Sequence, residues 1–115
     1  MSKMTVIYYE DLHGRIPVKD FIHALSEVPK DKVFRAIRPL VEFGLGSHLL
    51  NTKKLIGTPL WEVRVLGKDS IRIFFTVVVN GIILILHGFV KKTQKTPSRE
   101  IGVAMKRLEE WKLRH

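Results

Sequence analysis

Ile71-Arg72-Ile73-Phe74-Phe75-Thr76-Val77-Val78-Val79-Asn80-Gly81-Ile82-Ile83-Leu84-Ile85-Leu86-His87-Gly88-Phe89-Val90 decides the fold of this chain. The stretch is apolar enough to suggest a membrane span. Asn80-Gly81 at its middle, with Arg72 and His87 inside it, argues for a hairpin, because Asn-Gly between β-branched runs is the strongest short hairpin signal. A two-residue turn sets Val79 opposite Ile82, Phe74 opposite His87 and Arg72 opposite Phe89. Opposed residues share a face of the sheet. One face then holds Ile71, Ile73, Phe75, Val77, Val79, Ile82, Leu84, Leu86 and Val90, and is expected to be the core beneath the first two helices. The other holds Arg72, Phe74, Thr76, Val78, Ile83, Ile85, His87, Phe89 and, if the strand continues, Lys91.

Upstream, Leu60-Trp61-Glu62-Val63-Arg64-Val65-Leu66 alternates as a half-buried strand does. Trp61, Val63 and Val65 suit the core side, so Glu62 and Arg64 point the other way. A three-residue turn at Gly67-Lys68-Asp69 places Arg64 opposite Arg72. Residues 46–59 read as a loop. Before it, Val33, Ile37, Leu40 and Val41 form the stripe of a helix that starts near Val28-Pro29. That helix is expected to be kinked or shortened at Pro39 and ended by Gly44-Leu45-Gly46. Pro17 opens an earlier helix with Val18, Phe21, Ile22 and Leu25 on one face. Thr5–Tyr9 is a short first strand. Downstream, Thr96-Pro97 is expected to cap a last helix with Ile101, Ala104, Met105, Leu108 and Trp111 as its stripe. The order is β-α-α-β-β-β-α. The fold class is α+β: a small twisted antiparallel sheet with two helices on one face and the C-terminal helix across the other. Without an internal repeat or a linker, residues 1–115 are expected to form a single domain.

Net charge is +9, and residues 87–115 carry eight basic against three acidic side chains. A field of this sign attracts a polyanion: nucleic acid, an acidic protein or an anionic membrane. There is no cysteine, which excludes disulfide scaffolds and thiolate zinc sites and makes the reducing cytoplasm the expected compartment. The start, Met1-Ser2-Lys3-Met4-Thr5, lacks the apolar core of a signal peptide. His13, His23, His48, His87 and His115 have no metal-ligand spacing, so neither a metal nor a cofactor is expected.

The polar sheet face gathers Glu62, Arg64, Arg72, His87 and Lys91, and Lys92 follows. These groups suit cleavage of an RNA backbone without metal. The 2′-hydroxyl attacks the adjacent phosphate, a base takes its proton, an acid protonates the leaving oxygen, and cations stabilise the developing charge. Arg64 and Arg72 have the fork geometry for phosphate oxygens. His87 is a base or acid by its ordinary pKa, and Glu62 is the alternative base. Lys91 and Lys92 bind phosphate or donate a proton. Lys53, Lys54, Lys95 and Arg99 are candidates for binding the rest of the strand. On the plainer reading, Glu62 and Arg64 are a solvated ion pair, His87 is structural and the lysines are a solvated run. Trp61 and Trp111 read as core, Tyr8 and Tyr9 as strand packing.

Leu60-Trp61-Glu62-Val63-Arg64-Val65, Ile71-Arg72-Ile73-Phe74-Phe75 and His87-Gly88-Phe89-Val90-Lys91-Lys92-Thr93-Gln94-Lys95-Thr96-Pro97 together resemble the phage-derived HigB-like branch of the RelE/ParE toxin superfamily. Glu100-Ile101 and Ala104-Lys106-Arg107 fit the same pattern. The resemblance implies the toxin of a two-protein toxin–antitoxin module, with a RelE-like fold. It further implies metal-independent cleavage of mRNA on the ribosome and neutralisation by an antitoxin carrying a helix-turn-helix domain. By motif it assigns the chemistry to Arg64, Arg72, Lys91 and Lys92. Two other functions share such a surface: a ParE-like inhibitor of DNA gyrase, without chemistry, and a plain nucleic-acid-binding module.

Overall fold

A computed structural model of the chain describes residues 5–45, 51–95 and 97–115. The elements are β1 Thr5–Tyr8, α1 Pro17–His23, α2 Glu27–Phe43, β2 Thr52–Lys54, β3 Trp61–Arg64, β4 Ile71–Val78, β5 Ile82–Val90 and α3 Ser98–Arg114. They form an α+β fold around one five-stranded sheet of order β1-β5-β4-β3-β2. This architecture is compatible with a RelE-like fold. The sheet is mixed rather than wholly antiparallel, because β1 runs parallel to β5. Among the described residues no helix is long and apolar enough to cross a membrane.

The helices follow their apolar spacing. Pro17 opens α1, which buries Val18 and Ile22. In α2, Val33, Ile37 and Leu40 are buried, while Val41 faces outward. The helix continues through Pro39 to Phe43 rather than ending there. Proline forfeits one backbone bond, but burial of Ile37 and Leu40 on either side holds the turn. Gly44, at φ 67°, then ends it with its N–H on the Leu40 carbonyl, a conformation that suits glycine. Helix α3 begins at Ser98 with Pro97 at the cap position, one residue later than the spacing implies. The expected caps Thr96 and Gly46 lie outside the described residues. Within the expected loop, Thr52–Lys54 forms an edge strand on β3. Two lysines in a three-residue strand leave no periodicity to read, and charge on an edge strand discourages pairing with other chains.

The hairpin departs from its expected register and then recovers it. A 3-10 turn, Val79–Gly81, takes one more residue than a two-residue turn, so Val78 opposes Ile82. A bulge between Phe74 and Phe75 leaves Leu86 without a cross-strand partner, and from there Phe74 opposes His87 and Arg72 opposes Phe89 as expected. The two displacements cancel at the end that carries the charged residues. Between them the faces are exchanged. Ile83 and Ile85 join Ile71, Ile73, Phe75, Val63 and Val65 beneath α1 and α2. Leu84 and Leu86 turn to the opposite face with Phe74, Phe89, Ala104 and Leu108 of the α3 layer. Val77, Val79 and Val90 are exposed rather than core. Both sheet faces are therefore buried against helices. Phe74 and Phe75, each fully enclosed on its own side, contribute roughly 1.5–3 kcal/mol apiece.

Gly88 sets how closely α1 meets the sheet. A Cβ there would lie 2.8 Å from the Phe21 ring and 3.0 Å from Ile73. Only glycine leaves room for that ring to seat on β5.

Candidate functional site

Strand β3 supplies Glu62 and Arg64 by alternation, and β4 supplies Arg72. Arg64 pairs with Arg72, as the short turn requires, and Lys53 of β2 pairs with Glu62. Two guanidinium groups directly across a strand pair repel one another. The Glu62 carboxylate, 3% exposed, lies between the cations: Lys53 Nζ is 3.6 Å from Oε1 and Arg72 Nε is 3.8 Å from Oε2. A carboxylate this deep is costly to bury without cationic partners. Its Oε2 has no hydrogen-bond partner. Arg72 also donates to the Ile71 carbonyl at 3.2 Å, and Arg64 to the Asn51 side-chain oxygen at 3.5 Å. Lys91 is tied in through its backbone, whose N–H donates to the Ser70 carbonyl at 2.8 Å.

A cavity of about 210 Å³ opens among Asn51, Thr52, Lys53, Glu62, Arg64, Arg72 and Lys91. A second, of about 440 Å³, adjoins it across Arg72 and Lys91 and is walled by Ser70, Lys92, Thr93 and Gln94. A more apolar cavity of about 500 Å³ lies on the far side of Arg64, against Ala36 and Pro39 of α2. It is larger, but the charge cluster lies mainly in the other two.

His87 lines neither charged cavity. Along the sheet it opposes Phe74, which in turn opposes Glu62, so an aromatic side chain stands between them. Its ring stacks on Phe89 at 5.4 Å between centroids. Arg107 of α3 donates to Nδ1 at 3.2 Å, which leaves the Nε2 proton to be donated to Glu100 at 2.6 Å. Burial lowers the His87 pKa; the Glu100 hydrogen bond opposes that shift, and the Arg107 charge adds to it. Arg107 also donates to the Leu86 carbonyl at 2.8 Å. Leu86 is the bulge residue, so a side chain from α3 holds the point where the sheet recovers its register. Next to it, Tyr9 donates to Glu110, with the Arg107 guanidinium 5.7 Å from the Tyr9 ring centre.

The structure thus brings Glu62, Arg64, Arg72, Lys53 and Lys91 together and places Lys92 next door. It sets His87 apart. Lys54 is exposed and shares the Trp61 side of the sheet, and Lys95 and Arg99 are exposed and line neither charged cavity. Asn51, Thr52, Ser70, Thr93 and Gln94 are not among the expected site residues: single polar residues in loops and at a sheet edge carry no chemical signal of their own, and Thr93 and Gln94 enter only as part of the resembling motif. Glu100 and Arg107 did carry one. Seven residues apart on a helix, they share a face.

Fold and site together define a small α+β domain with a cationic cleft on one sheet face. Residues 20–109 match the family described as "Phage derived protein Gp49-like (DUF891)". The chain belongs to this phage-derived Gp49-like family, a RelE/ParE-like toxin family of toxin–antitoxin systems. A comparison with curated proteins finds no match.

Proposed function

We propose that this chain is the toxin of a type II toxin–antitoxin module and that it cleaves mRNA, on the ribosome, by HigB-like chemistry. The observation that carries the reading is the buried Glu62 carboxylate, ion-paired to Lys53 and Arg72, in one cavity with Arg64 and Lys91. In this mechanism the Glu62 carboxylate takes the proton of a ribose 2′-hydroxyl. The 2′-oxygen bonds to phosphorus and the bond to the 5′-oxygen breaks. Lys91 gives that leaving oxygen its proton. Arg64 and Arg72 hold the phosphate oxygens while negative charge grows on them. The products are a 2′,3′-cyclic phosphate and a 5′-hydroxyl. His87 acts from outside the cleft, by fixing β5 against α3. Neutralisation falls to an antitoxin with a helix-turn-helix domain, whose acidic surface would screen the same cations.

The test is transcript end-mapping after induced expression, with wild type and with Arg72→Ala. New internal ends that vanish with Arg72→Ala, while the variant stays folded, support the reading. Growth arrest with intact transcripts and blocked gyrase would instead favour the ParE-like alternative.

A further inference from the structure

The two charged cavities differ in one respect that matters for an anion. The smaller contains the Glu62 carboxylate, which a phosphate seated there must approach. The larger is walled by Ser70, Arg72, Lys91, Lys92, Thr93 and Gln94, with no acidic side chain among them. Among the described residues neither Lys91 nor Lys92 forms an ion pair with a carboxylate. Uncompensated ammonium groups beside a guanidinium, a hydroxyl and an amide match the oxygens of a phosphodiester. The seat is also fixed in place. Ser70 is held at φ 51°, and its carbonyl accepts the Lys91 N–H, tying the end of β5 to the start of β4. Thr93 Oγ1 donates to the Lys95 carbonyl at 2.7 Å, which closes the wall of the turn.

We infer that the Ser70–Lys92–Gln94 cavity is an anchoring seat for a non-reacting phosphodiester of the RNA strand, next to the one that is cut. This rests on the nuclease reading for its substrate, but the seat is a separate binding event. Arg72 and Lys91, shared by both cavities, bridge consecutive phosphates. Ground-state affinity resides in the seat without a carboxylate, and the chemistry in the seat that has one. Binding energy taken from a non-reacting part of the substrate is then available to press the scissile phosphate towards Glu62.

A 2′-O-methyl dinucleotide, which has one phosphodiester and cannot be cut, tests this. Amide shifts in the full-length protein are followed by NMR, and affinity is measured across a salt series. The seat predicts shifts centred on Lys92, Thr93 and Gln94. It also predicts that Lys92→Gln weakens binding about tenfold and makes the remaining affinity less sensitive to salt. Shifts confined to Asn51, Thr52 and Lys53, or unchanged affinity in Lys92→Gln, overturn it. So does inorganic phosphate that fills the seat while the dinucleotide leaves it untouched. Dinucleotide in the seat with no new transcript ends in the cell would retain the seat and remove the nuclease reading.

Discussion

Arg107→Ala should lower stability by about 2–3 kcal/mol, because two partners inside the structure are left without a donor at once. One is the Leu86 carbonyl, 2.8 Å from Nη1 on a fully buried residue. The other is His87 Nδ1 at 3.2 Å. A buried acceptor stripped of its donor costs about 1–3 kcal/mol, and the donor here is charged, which favours the upper part of that range. Loss of the guanidinium from beside Tyr9 adds a smaller amount. For a domain of this length about 4 °C of melting temperature accompanies each kcal/mol, so the midpoint should fall by roughly 8–12 °C. Calorimetry on wild type, Arg107→Ala, His87→Phe and the double variant measures it. The cycle should return a coupling between the two residues of about 0.5–3 kcal/mol. NMR titration adds an independent readout. Burial is the main cause that depresses the His87 pKa, and Arg107 deepens it, so the variant's imidazole should titrate higher than in wild type. A midpoint within about 3 °C of wild type, together with additive variants, would refute the idea that Arg107 holds the bulge.

Gly88→Ala should cost roughly 1–3 kcal/mol by displacing Phe21 of α1, read by chemical denaturation, because the new Cβ meets a ring rather than a flexible chain end. Glu62→Gln should cut RNA cleavage by about 10²–10⁴-fold with the fold retained, as loss of a general base does; unchanged cleavage would return Glu62 to the role of a counter-ion. Acid should weaken the fold through His87. Its folded pKa lies below the unfolded value of about 6.5, so the unfolded chain takes up the proton first. Stability should therefore decline as pH drops below about 6.5 and level off below the folded value, and His87→Phe should remove that part of the pH profile in denaturation curves.

The helices and the site-bearing half of the hairpin were legible from spacing alone. Val18 and Ile22, Val33 and Ile37, and Ala104 and Leu108 mark buried faces at helical period. Alternation through Glu62, Arg64 and Arg72 brought three charged residues to one side, and the cross-strand pairs confirm that geometry. The turn-proximal half was misread because local pattern cannot count the residues in a turn or foresee a bulge. Ile83-Leu84-Ile85-Leu86 is apolar at every position, so either face suits it until packing on both sides decides. Parity puts His87 on the arginines' face, as observed, but it cannot show that Phe74 stands between His87 and Glu62, or that Glu100 and Arg107 of the C-terminal helix take its ring nitrogens. Strand β2 and its Lys53–Glu62 pair escaped notice because three polar edge residues show no period.

The nature of the cut end tests the central claim most directly: that arginine, lysine and a buried carboxylate drive attack by the neighbouring 2′-hydroxyl. RNA cut by the purified protein on translating ribosomes should end in a 2′,3′-cyclic phosphate facing a 5′-hydroxyl, and a single 2′-deoxy substitution at the cut site should abolish cleavage there. Ends bearing a 3′-hydroxyl and a 5′-phosphate, or efficient cutting at the deoxy position, would contradict it.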